Sequence, residues 1–209
     1  PINELGDREG LKFEDGSISM PQEFKDAYRK GIEEGWLSTS CKPEHGGMGV
    51  PTFFQAVTWA EFGTSACMAL SVLPALSIGV YEVLAANGRQ DLIDYFASNL
   101  ASGEWAGTMC LTEPHAGTDL GIITTRAEPE DDGTYRISGT KIFITYGEHD
   151  MAENIVHLVL AKAPGGPEGT KGISLFIVPK YLPAEWESGG VEGISHDLVS
   201  EHNRVTCSG

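Results

Sequence analysis

The chain has 209 residues, enough for one large or two small domains with a real core. Its 41% hydrophobic and 21% charged residues are ordinary for a soluble globular protein, neither fibrous nor disordered. A formal net charge of −16 argues against nucleic acid or an anionic membrane surface as a partner.

Residues 1–18 are polar and glycine-rich without a period, and read as a loop or extended arm. Ser19-Met20-Pro21-Gln22 has the form of a capping box, with Pro21 in the first turn. Phe24, Tyr28 and Ile32 then recur every four residues, which predicts an amphipathic helix ending at Gly35. Lys25, Asp26, Arg29, Lys30, Glu33 and Glu34 form its solvated face. Pro43 to Gly49 is a loop, because a proline and several glycines interrupt regular structure.

Helical texture returns at Pro51, with Phe54, Val57 and Glu61-Phe62 on one helix and at least one more helix running to Leu84. That second run is broken or kinked near Pro74 and stops at Asn87-Gly88. The uncharged stretch Phe62–Tyr81 has the length of a membrane span. Its serines, threonine, proline and glycine, followed at once by Glu82, favour a buried helix pair instead. Asp91 to Leu100 gives a further helix, with Leu92, Tyr95, Phe96 and Leu100 on one face and Gly103 closing it.

At Trp105 the texture changes. Short β-rich runs cover Trp105–Thr112, Thr124–Glu128, Tyr135–Ser138, Lys141–Thr145, Ile155–Ala163 and Gly172–Pro179. Turn residues such as Asp131-Asp132-Gly133 and Ala163-Pro164-Gly165-Gly166 separate them. The order predicts an α+β chain: a helical domain over 1–103 and a small β-barrel or sandwich over 104–209. Tyr181 to Gly193 reads as loop, and Asn203 to Gly209 as the entry to a further strand. The four cysteines, Cys41, Cys67, Cys110 and Cys207, show neither metal spacing nor a compact disulfide framework, which favours reduced thiols in a cytoplasm. No signal peptide is visible at the start.

Two segments carry the chemistry. Met109-Cys110-Leu111-Thr112-Glu113-Pro114-His115-Ala116-Gly117-Thr118-Asp119 runs as a short apolar strand into a small-residue turn. There Gly117 frees the backbone, and the Thr118 hydroxyl with neighbouring N–H groups suits an anion. Gly139-Thr140-Lys141-Ile142-Phe143-Ile144-Thr145 reads as a strand after a glycine turn. Its period of two puts Phe143 and Thr145 on one face, suited to a flat heteroaromatic ligand, and Ile142 and Ile144 on the other. Ordinary sheet with a turn fits the same pattern.

Thr-Glu-Pro-x-Ala-Gly-Thr-Asp followed by Gly-Thr-Lys-Ile-Phe-Ile-Thr resembles the paired flavin-binding signature of the acyl-CoA dehydrogenases. The resemblance continues through Ala127, Gly133, Tyr135, Asn154 and the strand from Gly172 to Pro179, and reaches back to Glu44-His45-Gly46-Gly47-Met48-Gly49. Residues Asp7–Ser19 and Gly147-Glu148-His149-Asp150 are most similar to the larger bacterial members, including the 3-methylmercaptopropionyl-CoA dehydrogenase-like group. The family has a helical N-terminal domain, a middle β-domain and a C-terminal helical domain. Nothing here resembles the third, and the expectation is a fragment, inactive by itself.

The resemblance implies FAD-dependent α,β-dehydrogenation of an acyl-CoA thioester, electrons passing to an electron-transfer flavoprotein, in a homo-oligomer. Met109, Leu111 and Thr112 would face the flavin pyrimidine, and Gly117 and Ile144 belong to the same cofactor set. Thr118 would reach the FAD pyrophosphate and the CoA. Phe143, where many relatives have Trp, would pack on the ring, and Thr145 would reach its N5 edge. No residue matches the context of the catalytic base. Glu113 inside the motif is expected to accept backbone N–H bonds, and Asp119 to cap local backbone. His115 is expected to be a partly exposed turn residue. His45, His149, His157, His196 and His202 show no zinc spacing, so no metal is expected. Lys141 or Arg126 would have to offset the charge of a polyanionic CoA. An oxidase handing electrons to oxygen, and a non-catalytic module that keeps the fold, remain open.

Overall fold

The computed structural model describes residues 2–14, 17–65, 68–131 and 133–181, without the side chains of 62–65, 68 and 69. The loop and strand expected beyond Tyr181, together with His196, His202, Cys67 and Cys207, lie outside the described residues. The chain forms two compact units. The first comprises Pro1–Gly107 with Glu148–Ile155, and the second Thr108–Gly147 with Val156–Gly209. A boundary drawn once near residue 103 does not contain that later excursion.

The first unit is helical: α1 (Ile2–Glu9), α2 (Gln22–Glu33), α3 (Thr52–Ser65), α4 (Met68–Asn87) and α5 (Gln90–Ser102), with a hairpin of β1 (Lys12–Glu14) and β2 (Ser17–Ser19). The arm expected over 1–18 is thus a short helix and a hairpin. Its register pairs Lys12 with Ser19 and Phe13 with Ile18. Leu5 is buried in α1, and a Cβ on Gly6 would lie 3.1 Å from the Phe24 ring. Two apolar residues in eight are too few to show a period, so this packing was not legible locally.

Helix α2 buries Phe24 and Tyr28 as their spacing requires, and the Tyr28 hydroxyl donates to Gly103 O at 2.8 Å. The capping box does not form. Ser19 pairs with Lys12 in the hairpin, Pro21 takes the N-cap, and Gln22 Nε2 donates to Asp26 Oδ1 at 2.8 Å. Lys25 also leaves the expected solvated face, because its ammonium pairs with Asp150, which accepts the Met20 N–H as well. That pair ties the Glu148–Ile155 segment to the helical unit.

Helix α4 continues through Pro74, so the break expected at the proline does not occur. Ser77 Oγ, buried in α4, donates to Leu73 O and accepts the Gly107 N–H, each at 3.0 Å. By length and composition Leu70–Asn87 is apolar enough to cross a membrane, yet half of that window is buried inside the protein. Helix α5 buries Phe96 and Leu100 of the expected face together with Ala97 and Ala101, while Leu92 and Tyr95 are half-buried. Helix α3 differs: Phe53, Phe54 and Val57 are exposed, while Gln55 is buried.

The second unit is built on one mixed sheet. The strands are β3 (Trp105–Cys110), β4 (Arg126–Pro129), β5 (Tyr135–Ser138), β6 (Asn154–Lys162) and β7 (Ile173–Pro179), in the order β3-β6-β4-β5 with β7 also on β6; the first residues of β3 and β6, to Gly107 and Ile155, belong to the first unit. β6 and β7 pair antiparallel from Val156↔Pro179 to Lys162↔Ile173, and β4 meets β6 in parallel at Arg126↔Lys162. β6 is buried along most of its length, which is why it reads as a near-continuous apolar run.

Candidate functional site

The two motif segments come together in the second unit. Ile142 donates its N–H to Thr112 O at 2.9 Å, and Lys141 Nζ donates to Leu111 O at 3.0 Å. Consecutive residues of one segment therefore hold consecutive carbonyls of the other. Between them stands Glu113. It and Lys141 are 2% and 5% exposed, and Lys141 Nζ lies 2.9 Å from Glu113 Oε1.

A pair of threonines supplies four more bonds to the Glu113 carboxylate, and His115 Nε2 lies 3.6 Å from its Oε2. Oε2 accepts Thr124 N–H at 2.7 Å and the Thr124 hydroxyl at 2.9 Å. Oε1 accepts Thr125 N–H at 3.0 Å and the Thr125 hydroxyl at 2.5 Å. Burial alone pushes this carboxyl up. The Thr125 hydroxyl, the Thr124 N–H, Lys141 and the Thr125 N–H outweigh it and hold the group at about 2. Glu113 is therefore charged near neutral pH and acts as an anchor held by these bonds.

Gly139 makes the approach possible. A Cβ there would sit 2.3 Å from Thr125 Oγ1 and 2.8 Å from its Cα, so no side chain fits between the segments. The tight turn after Glu113 is closed by reciprocal bonds with Ala116, 2.9 Å and 3.0 Å. Asp119 Oδ1 accepts Gly121 N–H at 2.9 Å, the local cap its position predicts. His115 is half exposed, with Nε2 3.2 Å from Ile122 O.

Lys141–Thr145 is not a strand. Phe143 has φ 57 and Tyr146 φ 54, both left-handed, and Ile142 keeps a single ladder-like bond. The strand alternation does not apply to such a backbone, yet the separation of faces survives for another reason. Ile144 is 6% exposed and packs with Cys110 and Val159, while Phe143 is 75% exposed and Thr145 is exposed. Met109, Leu111 and Thr112 are half-buried; Gly117 and Thr118 are exposed. Gly117 does not adopt a left-handed φ, and the space where its Cβ would be is open.

Sequence reasoning missed Lys141 as an anchor and Thr124-Thr125 as its partners. Two adjacent hydroxyl residues between the motifs were the available signal. Lys141 is committed to Glu113 and Leu111, so it does not offset an anionic ligand; Arg126 is exposed. A second buried polar group lies between β3 and β6, where Thr108 Oγ1 is 2.7 Å from His157 Nδ1 and Cys110 Sγ is 3.9 Å from it. These three are 0–1% exposed and tie the strands internally.

An exposed aromatic ring, flanking hydroxyls and a half-buried apolar strip fit a flat cofactor with a polar edge. Comparison with known proteins agrees. Residues 108–200 match the model of the acyl-CoA dehydrogenase middle domain, and residues 12–104 that of the N-terminal domain. The chain is 48% identical over 185 residues to 3-methylmercaptopropionyl-CoA dehydrogenase of Ruegeria pomeroyi, covering 88% of this chain and 31% of that protein. It is 37% identical over 204 residues to a butyryl-CoA dehydrogenase of Syntrophomonas wolfei, covering 96% and 33%. It thus spans about a third of the length of either relative. Among solved structures, an acyl-CoA dehydrogenase complexed with FAD from Bacillus anthracis is 25% identical with a TM-score of 0.63, over 76% of this chain and 26% of that one. The chain belongs to the acyl-CoA dehydrogenase family.

Proposed function

We propose that the protein of which this sequence is part dehydrogenates an acyl-CoA thioester at the α,β-carbons, with FAD as cofactor. The observation that carries this reading is the Ile142 N–H bond to Thr112 O, which joins the two motif segments beside the exposed Phe143 ring. When bound, the flavin supplies the two-electron oxidation of the acyl chain. In this reading Met109, Leu111, Thr112 and the backbone at Ile144 flank it, Phe143 stacks on it, and the Thr145 hydroxyl bonds its edge. Thr118, on the open turn after Gly117, holds the pyrophosphate and meets the CoA. The α-proton goes to a base outside the motif residues, since Glu113 is locked by its bonds and Asp119 caps Gly121.

Electrons pass to an electron-transfer flavoprotein, and the complete protein is a cytoplasmic homo-oligomer. The test is the visible spectrum of the full-length gene product before and after anaerobic addition of a panel of acyl-CoAs. Flavin bands that bleach with particular thioesters support the reading and identify the chain preferred. Bands that bleach and return at once on admitting air support an oxidase. A full-length protein that takes up no flavin on reconstitution overturns the reading in favour of a non-catalytic module.

A further inference from the structure

We infer that the buried Glu113–Lys141 pair is a positioning device for the flavin-contacting segment 142–145, and not only a stabiliser of the fold. The inference rests on the FAD reading above. It starts from an energetic mismatch. A buried ion pair is weak in stabilising a fold, because desolvating both charges offsets most of their attraction, and two packed apolar side chains do as well. The pair at this place does something apolar groups cannot. Lys141 bonds a backbone carbonyl of the first segment, Leu111 O, while its own carbon chain belongs to the second. Glu113, in the first segment, gathers backbone N–H groups from a third, at Thr124 and Thr125. Three segments are thereby fixed relative to one another by directional bonds.

The next residues show what is fixed. Phe143 holds a left-handed φ of 57, a conformation that costs a non-glycine residue free energy and persists only where its surroundings enforce it. It is enforced from both sides: upstream by Lys141 and by the Ile142 N–H on Thr112 O, downstream by Ile144 in the core. With both neighbours tied, the Phe143 ring is held outward, 75% exposed. Releasing Lys141 removes one of the two upstream ties, and the ring loses its fixed direction while the core around Ile144 stays packed.

The test compares wild type, Lys141→Met, Glu113→Gln and the double variant in the full-length protein. The readouts are the apoprotein Tm, the FAD dissociation constant and the visible circular dichroism of bound flavin. Each single variant strands a buried partner and lowers both Tm and affinity. The double variant strands no charge, so its Tm returns toward wild type. Positioning then predicts FAD binding still weaker by on the order of tenfold, with an altered flavin dichroism. Affinity and dichroism that recover together with Tm overturn the inference. Should the double variant not fold, Lys141→Arg keeps the charge but not the compact ammonium's fit to Leu111 O. A near-normal Tm with weaker FAD binding supports the inference, and unchanged FAD binding overturns it. Wild-type protein that binds no FAD overturns the function proposed above instead, so the two failures are distinguishable.

Discussion

Phe143 and Ile144 are adjacent in the chain and face opposite surroundings: Phe143 is 75% exposed on a left-handed backbone, and Ile144 is 6% exposed against Cys110 and Val159. In the FAD reading proposed above, stability and ligand recognition are therefore separable at these neighbouring positions.

Phe143→Asn removes an exposed ring and places at φ 57 a residue that tolerates it. The folded protein is expected to be as stable as wild type or more so, by up to about 1 kcal/mol, while FAD binding weakens. Thermal denaturation of the apoprotein and an FAD titration check both halves. A loss of stability would mean that the ring packs in the fold.

Ile144→Ala acts in the reverse sense. Emptying a core position between Cys110 and Val159 costs about 2–5 kcal/mol, read by chemical denaturation. Any effect on FAD should follow that loss, and disappear where the variant is kept folded at low temperature.

The acid limb of stability reports Glu113. Burial raises its carboxyl, but the bonds from Thr125, Thr124 and Lys141 prevail and hold it at about 2 against an ordinary 4.5. A carboxyl depressed in the folded state contributes stability above its unfolded value. That contribution is lost as pH falls from about 4.5 towards 2. Glu113→Gln should be less stable at neutral pH and show a flatter dependence across that window. An identical acid limb in both proteins would remove Glu113 from the account.

Gly139→Ala tests the close approach of the second segment. A methyl 2.3 Å from Thr125 Oγ1 and 2.8 Å from its Cα has no room without backbone movement. The expected cost is about 1–3 kcal/mol, accompanied by weaker FAD binding because Lys141 shifts with it. Measuring both separates a local clash from a displaced anchor.

What the sequence determined alone is what local spacing encodes. Phe24 and Tyr28 mark a buried helix face, Phe96 and Leu100 another, and the apolar run of β6 marks a covered strand. The motif at 112–119 and 139–145 identified the family, and Glu113 and Asp119 were legible as backbone acceptors because a carboxylate in a tight turn has few other uses. Tertiary structure decided the rest. Ser19 prefers a hairpin partner to a helix cap, and Phe53 and Phe54 on α3 are exposed despite their type. The ion pair joins residues 28 apart in sequence, and no window of local pattern contains both ends of it. Nor does alternation encode the left-handed turn at Phe143, since a strained φ is set by the anchors on either side and not by the residue that adopts it.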